Sequence, residues 1–232
     1  IINSDSEKNE IKLIPEMLNL LGCNKDNFKK LLKAMGYKVF EKDDNVFFKY
    51  NPKKNSKKVS KKFIQERSAH VSQTTLFGYI KTRMGFKHYL MFEDKPFLES
   101  LDIAKWNVYV SCLLDCTFYT FSYLYEKKNF DCTKDAEKIF VEILLEEESN
   151  GLSRKISDAI RNEFKIKLRS INWSSYYLNE PFKNSGLSLY KWSPIADELK
   201  ELDKEIVLNS IKLKWNLVQN EFDSLTKDFK NF

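Results

Sequence analysis

Glycine and proline are scarce in this sequence, which holds 6 and 5 of them among 232 residues. So few turn-forming residues exclude collagen-like and low-complexity chains, and they favour long helices over many short strands. Only 2 histidines and 4 cysteines are present, and no Cys-x-x-Cys pair or glycine-rich phosphate-binding loop occurs. The sequence therefore predicts no metal site and no other cofactor. We interpret the cysteines, Cys23, Cys112, Cys116 and Cys132, as reduced thiols of a cytoplasmic protein.

A membrane-spanning segment is not expected either, although residues 106–125 form an apolar run of suitable length. Asp115 lies at the centre of this run, where a carboxylate opposes insertion by about 2.5–3.5 kcal/mol. We therefore interpret the run as the buried central helix of a domain and expect no membrane partner. The chain begins with Ile1 rather than Met and shows no signal peptide, which predicts a fragment or a processed product.

Positive charge is concentrated in the first quarter of the chain. Residues 1–62 hold 15 Lys and 8 Asp or Glu, a net charge of +7, whereas the remaining residues hold 24 basic and 25 acidic side chains, a net charge of −1. Such asymmetry indicates that one end of the chain meets a polyanion, with nucleic acid favoured over an anionic membrane surface.

Residues 1–50 predict a small winged-helix-like module, in which a helix-turn-helix precedes a β-hairpin. Pro15 suits the first turn of one helix, and Asn24 is a good N-cap for the second, which runs to about Met35. Two β-prone runs then flank a polar turn at residues 42–45. Many small α+β modules share this order, so DNA or RNA binding is not its only interpretation. The predicted buried face of the second helix is Phe28, Leu31, Leu32 and Met35.

Residues 51–72 predict a Lys-rich, protease-sensitive linker, because residues 53–62 hold six lysines in ten positions and almost no apolar surface. On this interpretation, trypsin releases a stable fragment that begins near residue 63–75. Phe48 and Tyr50 are candidate partners for base stacking, although burial beside Val46 is equally consistent with the pattern. The candidate phosphate contacts are Lys25, Lys29, Lys30, Lys33, Lys53, Lys54, Lys57, Lys58, Lys61 and Lys62.

The first module resembles a known family in the stretch IPEMLNLLGCNKDNFKKLLKAMGYKVF. This stretch is similar to the C-terminal tail of alphaproteobacterial helicases related to the mitochondrial degradosome RNA helicase. In that family, a Leu-Gly-Cys turn and an Ala-x-Gly-Tyr segment belong to a small module that follows the ATP-hydrolysing part of the helicase. The resemblance implies RNA as the partner, but no Walker or helicase motif is present, so it does not imply ATP hydrolysis.

Residues 73–232 predict an all-α bundle of about five or six helices. Thr74 or Thr75 is expected to cap the first of these helices, and residues 103–125 form the long apolar one. Residues 172–192 read as an irregular aromatic connection. Ser193 and Pro194 then mark the start of a last helix that runs to about Phe229.

The last helix carries a strict heptad pattern, which packs either on the same domain or against a second copy of the chain. The residues at this spacing are Ile211, Trp215, Val218, Phe222, Leu225 and Phe229. The second interpretation predicts a homodimer through the C-terminal helix.

The second module also resembles a family, in the blocks TLFGYIKTRMG, ESLDIAKWNVYVSCLLD and KWSPIADELKELDKEIVLNSIKLKW. These blocks are similar to an uncharacterised alphaproteobacterial helical family whose members are sometimes labelled esterase. The resemblance implies a small-molecule hydrolase. The residues themselves offer no Gly-x-Ser-x-Gly elbow, because Tyr190 stands where the second glycine is required. Two resemblances in one chain are consistent with a fusion or with a misjoined reading frame.

Asp115 is the best single candidate for catalysis, because an apolar site raises the pKa of a carboxyl group. The other candidates are His88, Asp197 and Glu198. Asp115 also has a structural interpretation, in which it pairs with Lys105, Lys81 or Arg83 or with a helix N-terminus. The sequence thus leaves open whether the chain is an enzyme, and it favours a non-catalytic RNA-binding fragment that carries a helical domain.

Overall fold

The structure is a computed structural model that describes residues 11–22, 24–35, 37–42, 45–50, 56–128 and 133–227. The chain divides into two compact units, Ile1–Asn55 and Ser56–Phe232. The first combines helices with a small antiparallel sheet, and the second is a helical bundle. The predicted fold class, a helix-turn-helix and hairpin module followed by an all-α bundle, is confirmed.

The first unit is built from two short helices and three strands. The strands pair in the antiparallel order β1–β3–β2, and the helices pack on one face of the sheet. As predicted, Pro15 opens the first helix, and Asn24 caps the second by accepting a hydrogen bond from Asn27 N at 2.8 Å. The elements are β1 (Ile11–Lys12), α1 (Pro15–Leu21), α2 (Lys25–Ala34), β2 (Tyr37–Lys42) and β3 (Asn45–Tyr50).

Fewer residues of α2 are buried in the core of this unit than the spacing of its apolar residues predicts. Phe28 and Leu32 are buried against Phe48 of β3, but Leu31 and Met35 are exposed. The prediction of four buried positions is wrong for those two, because a sheet of three short strands covers only part of the helix. Strand β1 was not predicted from the sequence.

The second unit holds six α-helices and one 3₁₀ helix in its described residues. Helix α4 is apolar on nearly all faces, and it packs against α3, α5, α6 and α7, which explains why it tolerates so little polarity. The elements are α3 (Ser56–Met84), the 3₁₀ helix Gly85–Glu93, α4 (Lys95–Lys128), α5 (Thr133–Ser149), α6 (Arg154–Ser170), α7 (Lys183–Trp192) and α8 (Asp197–Thr226).

The prediction of a linker over residues 51–72 is wrong, because most of this segment belongs to helix α3. From Ser56 onward these residues are helical, and Phe63 and Ile64 are buried in the core of the bundle. Lys61 is held by α5, because its Nζ lies 2.6 Å from Glu146 Oε1 and 3.5 Å from Glu142 Oε2. Residues 51–55 lie outside the described residues.

We expect limited trypsin digestion of the native chain to spare the bonds after Lys61, Lys62 and Arg67. Cleavage there requires α3 to unwind and expose Phe63 and Ile64, which are buried. Intact-mass analysis of the products checks this, with the urea-unfolded chain as a control that is cut at the same bonds. A native fragment beginning at residue 62–68 would restore the linker interpretation.

Three other local predictions in this unit are wrong. Thr74 and Thr75 do not cap a helix, since both lie inside α3 and donate back to the carbonyls of His70 and Val71 at 2.7 Å. Part of the predicted irregular connection is helix α7. Ser193 does not cap the last helix either, because its Oγ donates to Leu189 O at 2.6 Å and so closes α7.

The heptad pattern of α8 packs inside the unit. Ile211, Trp215, Val218 and Phe222 are buried in the bundle core, and Leu225 packs against it. Phe229 lies outside the described residues. The prediction of a dimer through this set of residues is therefore wrong, because the same side chains already fill the core.

Candidate nucleic-acid interface and the buried Asp115 cluster

Two phenylalanine rings stack on the face of the small sheet that lies opposite the helices. Phe40 of β2 and Phe47 of β3 are cross-strand partners, and their ring planes differ by 15° with centroids 6.0 Å apart. Because side chains alternate across a strand, Phe47 lies on the other face from the buried Val46 and Phe48. Both stacked rings are half-buried, so part of each remains accessible.

Lysines surround this ring pair on the same face of the sheet. Lys12 lies directly opposite Phe47, whereas Lys42 and Lys49 are two residues from Phe40 and Phe47 along their strands. Within the described part of the chain, these three ammonium groups form no ion pair. We call this surface, made of Phe40, Phe47, Lys12, Lys42 and Lys49, the outer sheet face.

These two aromatic residues were not predicted from the sequence, which offered Phe48 and Tyr50 as the candidates for base stacking. Phe48 is buried and contacts the rings of Phe28 and Tyr37 at centroid distances of 6.3 and 5.7 Å, so it has no face for a base. The side chain of Tyr50 lies outside the described residues. The signal was available in the alternation of β2 and β3, once the hairpin register was assigned around residues 43 and 44.

Of the four lysines of α2 that were predicted to contact phosphates, one is paired with acidic side chains and three are exposed. Lys29 is engaged by Glu41 of β2 and lies 3.9 Å from Asp26, and the Glu41 hydrogen bond raises the pKa of Lys29. Lys25, Lys30 and Lys33 are exposed on the solvent side of α2. This side and the outer sheet face lie on opposite sides of the unit.

The predicted contacts that follow the hairpin are less open to a ligand. Lys61 is occupied by Glu142 and Glu146 on α5, and Lys62 lies 3.7 Å from Glu66. Lys57 and Lys58 belong to the first turn of α3, but their side chains lie outside the described residues, as do Lys53 and Lys54 altogether.

Asp115 is completely buried in the middle of α4 and is bound by two other helices. Its Oδ2 accepts hydrogen bonds from Ser185 N and Ser185 Oγ, both at 2.7 Å, and its Oδ1 accepts one from Asn184 Nδ2 at 2.8 Å. Lys167 Nζ of α6 lies 3.5 Å from Oδ1. Asn184 and Ser185 stand in the first turn of α7, where free N–H groups favour a carboxylate.

This arrangement decides between the partners that the sequence predicts for Asp115. The predicted contact of Asp115 with a helix N-terminus is confirmed. The predicted pairing of Asp115 with one of the three cations is wrong. Lys105 binds Asp102 of its own helix at 2.7 Å, and Arg83 binds Asp203 of α8. Lys81 is exposed. The cation beside Asp115, Lys167, comes from a helix that the sequence does not connect with this position.

Burial dominates the ionisation of the Asp115 cluster. It raises the pKa of Asp115 above the usual 3.8, while Lys167 and the hydrogen bonds of Ser185 and Asn184 oppose the increase. Burial and the negative charge of Asp115 also raise the pKa of Glu163, one turn before Lys167 on α6. Since Asp115 is enclosed and its oxygens already accept three hydrogen bonds, the cluster serves to join α4, α6 and α7.

The other predicted catalytic residues do not join Asp115. His88 Nδ1 lies 2.9 Å from Gly85 O within its own 3₁₀ helix. Asp197 and Glu198 are exposed in the first turn of α8, where Asp197 Oδ1 binds Lys200 Nζ at 2.8 Å. The described partners of Asp115 are Asn184, Ser185 and Lys167, and none of the other three candidates is among them.

Serine chemistry has no geometric basis among the described residues. Ser185 Oγ donates to Asp115 and accepts from Trp215 Nε1 at 3.2 Å, and Ser188 Oγ donates to Asn107 O at 3.1 Å. Neither hydroxyl contacts an imidazole, which a serine nucleophile requires as its base. Cys112 and Cys116 are buried free thiols whose pKa values are raised by burial, so they are poor nucleophiles.

Among the described residues, no group of three or more His, Cys, Asp and Glu side chains converges in a way that would hold a metal ion. No helix in the part of the chain that the structure describes combines the length and the apolar character that crossing a bilayer requires.

Comparison with protein-family models, with curated proteins and with solved structures gives no match for this chain. The similarity of its first module to helicase tails and of its second to an esterase-labelled family stays a prediction.

Proposed function

We propose that the N-terminal unit binds single-stranded nucleic acid, and RNA in particular, weakly and with little base preference. The observation that carries this proposal is the outer sheet face, where Phe40 and Phe47 stack within a rim of Lys12, Lys42 and Lys49. The proposal keeps the partner indicated by the charge asymmetry, and it moves the contact from α2 to the sheet.

The two kinds of side chain on this face supply complementary parts of the binding free energy. An accessible aromatic ring stacks on any base, and each such contact contributes about 1–3 kcal/mol without reading the sequence. Lysine ammonium groups act as point charges on phosphates and release counterions, so binding weakens as salt rises. Together they favour an unpaired strand, whose bases are free to stack.

The solvent side of α2 supports the same partner less well. Its exposed cations, Lys25, Lys30 and Lys33, are interrupted by Asp26, and Lys29 is engaged by Glu41. None of these residues offers an aromatic surface. We therefore assign α2 a general electrostatic contribution and place base stacking on the outer sheet face.

The test is a titration of a labelled single-stranded oligouridine with the full chain at low and at physiological salt. The variant Phe40→Ala/Phe47→Ala is expected to lose at least tenfold in affinity, whereas Phe40→Tyr/Phe47→Tyr keeps a stacking surface and most of the binding. Thermal unfolding of each variant checks that the unit remains folded.

A charge-matched pair of variants separates the two surfaces. Lys42→Glu/Lys49→Glu on the sheet and Lys30→Glu/Lys33→Glu on α2 change the net charge equally. We expect the sheet variant to lose at least tenfold and the α2 variant less than threefold. Equal losses, or an unchanged affinity of Phe40→Ala/Phe47→Ala, would refute the proposed site, and absence of binding by the wild-type chain would refute the function.

A further inference from the structure

An apolar stripe runs along the solvent side of α8, opposite the face that fills the bundle core. Its members are exposed by 42 to 77 %, whereas Ile211 and Trp215 on the other face are only 1 % exposed. Exposed apolar side chains that line up along one face of a helix, rather than standing singly, mark a contact surface. The stripe consists of Leu199, Leu202, Ile206, Leu213 and Leu217.

The spacing of the stripe is that of a coiled-coil seam. Leu199, Leu202, Ile206 and Leu213 fall at alternating steps of three and four residues, with Asn209 at the intervening seam position and Asn216 at the next one, beside Leu217. Polar residues at such positions are compatible with pairing and lower its strength. The geometry therefore fits a helix rather than a flat surface as the partner.

Charged residues beside the stripe change sign along the helix. Glu198 and Glu205 flank its first half, and Lys212 flanks its second half on the same side, at seven-residue intervals. All three are exposed, and none forms an ion pair in the described part of the chain. A helix with this pattern complements its own reverse copy.

We propose that the chain forms a homodimer in which α8 packs antiparallel against α8 of a second copy. When Leu202 lies opposite Leu213 of the partner subunit, Glu205 falls next to Lys212 of the partner subunit, and two-fold symmetry repeats the pair. Shifting this register by one heptad in one direction brings Glu205 against its own symmetry copy, although it also places Glu198 next to Lys212 of the partner subunit. Shifting it in the other direction brings Lys212 against its own symmetry copy.

A parallel arrangement does not fit the same charges. It places Glu198 beside Asp203 of the partner subunit, which is a repulsive pair, and it leaves Lys212 beside Leu217 of the partner subunit. Since Asp203 is already bound by Arg83 and Tyr79 of its own bundle, it gains nothing from that contact. Charge complementarity thus selects both the second copy as partner and the antiparallel direction.

Sedimentation equilibrium of the full chain over a range of concentrations tests this proposal. We expect the wild type to dimerise reversibly, and Glu205→Lys and Lys212→Glu each to be at least tenfold weaker dimers, because both pairs become repulsive. An equimolar mixture of Glu205→Lys and Lys212→Glu restores both attractive pairs and is expected to dimerise at least as well as the wild type.

Ile206→Glu supplies an independent test of the stripe itself. The side chain is 67 % exposed, so this substitution should leave the melting temperature of the monomer nearly unchanged while abolishing the dimer. A wild-type chain that stays monomeric at every concentration would overturn the proposal. The proposal would also be overturned if the Ile206→Glu variant still dimerised. The same holds if the mixture of Glu205→Lys and Lys212→Glu dimerised as weakly as each variant alone.

Discussion

Replacing Asp115 by alanine is expected to lower the free energy of unfolding by about 3 kcal/mol, because it leaves the buried Ser185 and the partly buried Asn184 and Lys167 without their acceptor. Ser185 N and Asn184 Nδ2 donate to this carboxylate at 2.7 and 2.8 Å, and Lys167 Nζ lies 3.5 Å away. Asp115→Asn keeps the volume and one acceptor oxygen, and it is expected to cost about 2 kcal/mol. Urea unfolding at neutral pH measures both values.

The pH dependence of Asp115→Asn gives a second, more specific expectation. Because burial raises the pKa of Asp115 in the folded chain above the usual 3.8, the folded state binds the proton more tightly than the unfolded state. The stability that is linked to this proton is therefore full below pH 3.8 and is lost as the pH rises through the folded-state pKa, whereas the hydrogen bonds from Ser185 and Asn184 remain. The difference between wild type and Asp115→Asn should shrink over that window as the pH increases.

Asp102→Asn is the matched control for both measurements. Asp102 lies on the same helix, is exposed and binds Lys105 one turn away, so its loss should change stability by less than about 0.5 kcal/mol. If Asp115→Asn behaved like Asp102→Asn, Asp115 would have no structural role. A difference that grew with rising pH would show that pairing with Lys167, and not burial, dominates its ionisation.

The parts of the fold that sequence analysis predicted correctly are those whose causes lie within a few residues. Pro15 and Asn24 act on the first turn of their own helices. These signals depend on local backbone geometry, so a single sequence carries them.

The failures share a different cause, which is stabilisation by distant residues. The lysine run after residue 55 looks open by itself, but Lys61 is neutralised by Glu146, 85 positions further along the chain. Asp115 likewise finds Ser185 at a separation of 70 positions. No local pattern identifies such partners, and only the packing of α3 on α5 and of α4 on α7 brings them together.

Helix α7 was missed for a related reason. Its Gly186 lies within an aromatic segment without a clear helical period, and both features argue against a helix by propensity. In the structure, a Cβ at Gly186 would lie 3.1 Å from Leu208 of α8, so the glycine permits the close approach of the two helices. Tertiary packing therefore decides the conformation of this segment.

The largest loss of stability is expected at Phe164, which joins three helices through a stack of rings. Its ring lies 4.6 Å from that of Phe118 on α4 and 4.3 Å from that of Phe140 on α5, with interplanar angles of 20° and 16°. All three rings are essentially inaccessible to solvent. Truncation at the middle of such a stack removes contacts on both faces and leaves a cavity that rigid helices fill poorly.

Phe164→Ala is therefore expected to lower the free energy of unfolding by about 3–5 kcal/mol, and Phe164→Leu by a smaller amount because it fills part of the space. Urea unfolding checks this, and an unchanged dependence on urea concentration would indicate that the bundle still unfolds as one unit. Ile166→Ala, two residues away on the exposed side of α6, should change stability by less than about 0.5 kcal/mol. A loss below about 1 kcal/mol for Phe164→Ala would mean that α4, α5 and α6 do not meet through this stack.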